Sequence, residues 1–81
     1  MTIVIRADGR RFSGTPLQIV QQMQSVAFGQ DDVTLPEYIE RSVRLVDVME
    51  GVSLKVTGES DEQLAASFLD EMVKAGLALR A

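Results

Sequence analysis

The chain contains no Cys and no His. Disulfides, thiolate nucleophiles, zinc fingers, iron–sulfur sites and His-based catalytic triads are thereby excluded. Acid–base chemistry would fall to carboxylates, lysine and the single tyrosine, Tyr38. Three acidic groups stand out: Asp31-Asp32, Glu59-Ser60-Asp61-Glu62 and Asp70-Glu71. A magnesium or calcium site needs more oxygen ligands at patterned spacing, and no Asp-x-Asp-x-Asp-Gly run occurs. Asp31-Asp32 reads as a solvated loop favouring the helix N-terminus that follows, and Asp61 and Glu62 serve their own helix in the same way. Asp70-Glu71 reads as a polar helix face, with Asp70 four residues before Lys74. Gly9 and Gly14 precede a helix, but their spacing fits neither a dinucleotide fingerprint nor a P-loop. No catalytic residue, metal or cofactor is expected.

Binding chemistry is more visible. Asp8-Gly9 marks a two-residue hairpin turn between Thr2–Ala7 and Arg10–Ser13. That turn sets Arg6 opposite Arg11, Ile5 opposite Phe12 and Val4 opposite Ser13. Ile3, Ile5 and Phe12 then face the core, and Arg6 and Arg11 share the solvated face. Like charges directly opposite on a sheet are destabilising. A patch of Arg6, Arg10 and Arg11, joined by Lys55 from a later strand, would therefore suit an acidic partner surface, a phosphate or single-stranded nucleic acid. No exposed aromatic accompanies it, so a base-stacking platform is not expected. The bland reading is neutralisation by nearby acids such as Glu59 or Asp61.

The helices that position these groups announce themselves. Thr15-Pro16-Leu17-Gln18, Thr34-Leu35-Pro36-Glu37 and Ser60-Asp61-Glu62-Gln63 each have the form of a capping box. Gly29, Gly51 and Gly76 follow as stops. Helices are predicted at 16–28, 35–50 and 61–75, with Phe28 tucking into the core. The second carries more apolar residues than a helix on a thin sheet needs: Leu35, Tyr38, Ile39, Val43, Leu45, Val46, Val48 and Met49. Part of that stripe is open to a second copy or another protein, unless the neighbouring helices enclose it. Glu37–Arg41 and Glu40–Arg44 are i,i+4 pairs on its polar side. Val52–Thr57 alternates strictly, predicting a strand with Val52, Leu54 and Val56 inward. Leu77–Ala81 alternates weakly, fitting a short fourth strand or a frayed tail, with the strand favoured.

The expected fold is one α+β domain spanning 1–81. It has a small, mainly antiparallel sheet and three helices on one face, in the order ββααβα(β). At 81 residues and 8.9 kDa, surface scaling predicts roughly 4,800 Å² of folded surface. The net charge is −4, split as +2 over residues 1–30 and −6 over residues 31–81. An acidic total disfavours general nucleic-acid binding. No apolar run approaches membrane length and no signal peptide is recognisable, so a cytoplasmic location is expected. The function expected is a protein-binding or adaptor module, not an enzyme, acting through the basic hairpin, the apolar helix surface or both. Homo-oligomerisation is compatible with it. The second reading is a nucleic-acid-binding regulator using the basic hairpin or the helix 16–28 and helix 35–50 pair. Helix 16–28 carries no basic residue, which weakens that reading.

Overall fold

A computed structural model describes residues 1–27, 29 and 32–81. Phe28 and Asp31 lie outside them. The elements are β1 (Thr2–Ile5), β2 (Arg11–Ser13), α1 (Pro16–Val26), α2 (Leu35–Glu50), α3 (Asp61–Lys74) and β3 (Ala78–Arg80). The sheet is antiparallel with strand order β2-β1-β3. This is the expected α+β class, with three helices and three strands. The accessible surface is 5070 Å², close to the scaling value.

Each cap hydroxyl accepts from its N3 amide as expected, but among the described residues only α1 closes the reciprocal capping box. At α3 the Gln63 side chain accepts from Glu59 N–H instead of the Ser60 amide. The Thr15 hydroxyl accepts from Gln18 N–H at 3.2 Å, and Gln18 Oε1 accepts from Thr15 N–H at 2.9 Å. Thr34 Oγ1 accepts from Glu37 N–H at 3.3 Å and Ser60 Oγ from Gln63 N–H at 3.2 Å. Each satisfies an amide that has no intrahelical acceptor. α3 ends in a Schellman turn: Leu77 N–H donates to Met72 C=O and Gly76 N–H to Val73 C=O. Gly76 takes φ +77°, which a side chain would resist. The turn aims the chain straight back along β1, and Arg6 N–H donates to Leu77 C=O at 3.0 Å.

The hairpin register differs from the expected one. Thr2 pairs with Ser13, Ile3 with Phe12 and Val4 with Arg11. The loop holds four residues, Arg6 to Gly9, closed by Ile5 N–H to Arg10 C=O and Gly9 N–H to Ile5 C=O. A two-residue type I′ turn needs positive φ at both centres. Gly9 has it, but among the described residues no non-glycine does, Asp8 included. Asp8 instead accepts Arg10 N–H at 3.0 Å through Oδ1. The shift is two residues, so every side chain keeps its face, and Ile3 and Phe12 are buried as expected.

The second departure concerns residues 52–57. They keep the inward alternation, with Leu54 buried and Val52 and Val56 packed against the core, but they form no strand. From Lys55 onward, alternate amides are met by α3 side chains. Lys55 N–H donates to Glu71 Oε1 at 2.9 Å, Thr57 N–H to Ser67 Oγ at 3.0 Å and Glu59 N–H to Gln63 Oε1 at 2.8 Å. Two extended residues advance about 6.6 Å and four helical residues about 6.0 Å. Every second amide therefore meets every fourth side chain of a helix running the other way. The place beside β1 goes to β3, held to α3 by Arg80 on Asp70 at 3.2 Å.

The core lies between the sheet and the helices: Ile3, Ile19, Val20, Phe68 and Leu69 are almost wholly buried. No buried side-chain polar atom lacks a partner among the described residues. No described helix is long and apolar enough to cross a membrane.

Candidate functional site

α2 divides along its length. Its first half buries Leu35, Tyr38 and Ile39. Burial raises the Tyr38 pKa above its ordinary 10.0, with a hydrogen bond involving Ser42 opposing part of the shift. Its second half rests on the core through Val43 and Val46 and turns its other apolar side chains to the outside. Leu45 is 58% exposed, Val48 83% and Met49 71%. Six large apolar side chains are substantially exposed among the described residues, and these three fall within five consecutive positions. Covering the remaining exposure of the three would yield roughly 3–6 kcal/mol.

Two hollows flank this segment. The larger, about 430 Å³, lies between the end of α2, the hairpin loop and the turn into β3. Ile5, Leu45, Val46, Met49, Met72 and Leu77 give it an apolar lining, with Arg6 and Glu50 also bordering it. The other, about 310 Å³, is a shallow trough on α2 itself, lined by Arg41, Arg44, Leu45 and Val48. Leu45 borders both, so the surface is continuous around the helix. A further hollow of about 320 Å³, between α2 and residues 54–56, is floored by side chains already packed on the core.

The charges at this end of α2 are unusual. The last turn carries Asp47 and Glu50 and no basic residue. Negative side chains thus sit where the helix dipole is already negative. Arg44 holds Glu40 at 2.7 Å across the outer surface.

The basic residues singled out from sequence are dispersed. Arg6 sits in the hairpin loop beside the larger hollow. Arg11 is exposed on the outer sheet face in a row with Val4 and Leu79, so the expected Arg6–Arg11 opposition does not form. Arg10 is tied to Asp8 at 3.3 Å. Lys55 lies outside the sheet, on the segment bound along α3. Of the four, Arg6 alone borders the apolar hollow beside α2. The apolar excess of α2 was readable in sequence. No local pattern marks Ile5, Met72 and Leu77 as its neighbours, although Gly76, as a helix stop, carries the signal that returns Leu77 to the hairpin.

No family model matches this chain, and no curated protein or solved structure matches it either.

Proposed function

We propose that this chain is a small binding module that docks a protein partner on the second half of α2 and the adjoining hollow, acting by contact and not by catalysis. The observation that carries the reading is the exposure of Leu45, Val48 and Met49 together, on a helix whose first half is anchored in the core. The largest apolar patch on a protein surface is often a functional one, whereas scattered single apolar residues need no explanation. Arg6 at the rim supplies a charged group for orientation. Arg11, on the outer sheet face, is remote in kind from this surface and is not needed for it.

The test is affinity capture with the wild-type chain, a Leu45→Ser/Val48→Ser/Met49→Ser variant and an Arg10→Ser/Arg11→Ser variant, each with and without nuclease. A discrete protein retained by the arginine variant, lost by the α2 variant and indifferent to nuclease supports the reading. Capture that depends on the arginines and disappears with nuclease overturns it and makes the hairpin a nucleic-acid contact.

A further inference from the structure

We infer that the occupant of the exposed half of α2 is a second copy of this chain, the two α2 helices lying antiparallel about a two-fold axis that passes between Arg44 and Leu45. The inference rests on the reading of α2 as a docking surface and names what docks there.

The surface is complementary to itself. Arg41, Arg44, Leu45 and Val48 share one face of α2. A two-fold interface requires that if one residue meets another, the second also meets the first. With the axis between 44 and 45, Leu45 meets the partner's Leu45 at the centre. Val48 lies on the aliphatic stem of the partner's Arg41, and long basic side chains cover apolar surface in this way.

The arrangement also offers the acids at the end of α2 a basic partner, although it brings the two Arg44 side chains near each other at the axis. Asp47 lies one turn beyond Arg44 on the same flank, and no ion pair reaches Asp47 or Glu50 among the described residues. Within one copy these acids oppose the dipole of their own helix. The antiparallel copy brings its Arg44 to Asp47, twice by symmetry. The guanidinium has five donors, so the exposed contact to Glu40 leaves others for the partner. Antiparallel helices also set opposite dipole ends side by side. A parallel arrangement would place the two acidic ends together.

The size of the contact sets its strength. The Cα extents are 27 × 26 × 25 Å, so the usual ~800 Å² per partner would occupy most of one face. Contact confined to α2 is smaller, the size class of weak and reversible association.

Sedimentation velocity on the purified chain from about 1 to about 300 µM tests this. A monomer–dimer equilibrium is expected, and Val48→Asp should weaken it more than tenfold with the circular dichroism unchanged. Arg44→Asp or Asp47→Arg alone should each weaken it about tenfold, and mixing the two variants should restore dimers to within about threefold of wild type. A chain that stays monomeric throughout overturns the inference, and so does a dimer indifferent to Val48→Asp. Monomeric behaviour combined with capture of another protein through Leu45, Val48 and Met49 would overturn the second copy and leave the docking reading standing.

Discussion

α2 and α3 are of similar length and lie against each other, yet they use their residues in opposite ways. α3 is complete within the chain. Asp61 and Glu62 open it and Lys74 closes it, each matching the helix dipole. Ala65, Phe68, Leu69 and Met72 are buried, and Gln63, Ser67 and Glu71 each bind a backbone amide of another segment. α2 satisfies these conditions only in its first half. Its second half packs Val43 and Val46 on the core but exposes Leu45, Val48 and Met49, and it ends in acids that oppose the dipole. A helix that meets all its needs internally serves the fold. One that leaves part of them unmet is the surface on which the proposed docking rests.

Substitution should divide the two helices sharply. Phe68→Ala, at a site 1% exposed, is expected to cost about 3–5 kcal/mol, seen as loss of the folded baseline in urea. Val48→Ser should change stability by less than about 0.5 kcal/mol in the same titration. Comparable losses at the two sites would erase the contrast.

Gly58 probes the α3 side more finely. It takes φ +149°, and a Cβ there would come within 2.8 Å of Gln63 Cβ and 2.9 Å of the Gln63 carbonyl carbon. Gly58→Ala should therefore cost about 1–3 kcal/mol, with amide exchange accelerated first at Thr57 and Glu59.

Tyr38 tests the buried half of α2. Its pKa is raised in the folded state, so the neutral phenol is favoured by folding. That contribution is complete below pH 10.0 and is lost as pH rises through the folded pKa. Lys74, raised chiefly by its hydrogen bond to Asp70, loses its contribution above its own ordinary 10.5. The melting temperature should fall above pH 10, and Tyr38→Phe should flatten the earlier part of that fall. Phenolate absorbance reads the step directly, since Tyr38 is the sole tyrosine.

The smallest effect belongs to the end of α2. Glu50→Lys should stabilise the single copy by about 0.3–1 kcal/mol at low salt, and the gain should shrink as salt is added. Destabilisation would mean that Glu50 already serves the monomer.

Much of this contrast was legible from residues. Capping-box patterns marked all three helix starts, although only the one at Thr15 closes fully, and α2 runs from Leu35 to Glu50 as its cap and Gly51 predicted. The caps are local, so local sequence suffices. The hairpin faces were legible because alternation survives a two-residue shift. The loop length was not, because it turned on whether Asp8 would adopt positive φ or bind Arg10. Residues 52–57 had the pattern of a strand and lacked its pairing. Alternation reports which side chains are buried but not which group takes the amides. The stripe Gln63, Ser67, Glu71, spaced by four, was the signal for that. Of the candidate site, the apolar excess of α2 was visible, but the choice of its exposed half depends on where the hairpin and the turn into β3 come to rest.

The ladder between residues 55–59 and α3 also governs how this chain tolerates changes of length. One residue added at 52–57 would reverse the alternation and turn Leu54 outward. Two would restore the faces but move each amide one rung along α3, past the acceptor that Gln63, Ser67 or Glu71 provides. Four residues added to the helix would be needed to supply the missing rung, and they would displace the turn at Gly76 by about 6 Å. The connection between α2 and α3 is thus a ruler more than a spacer.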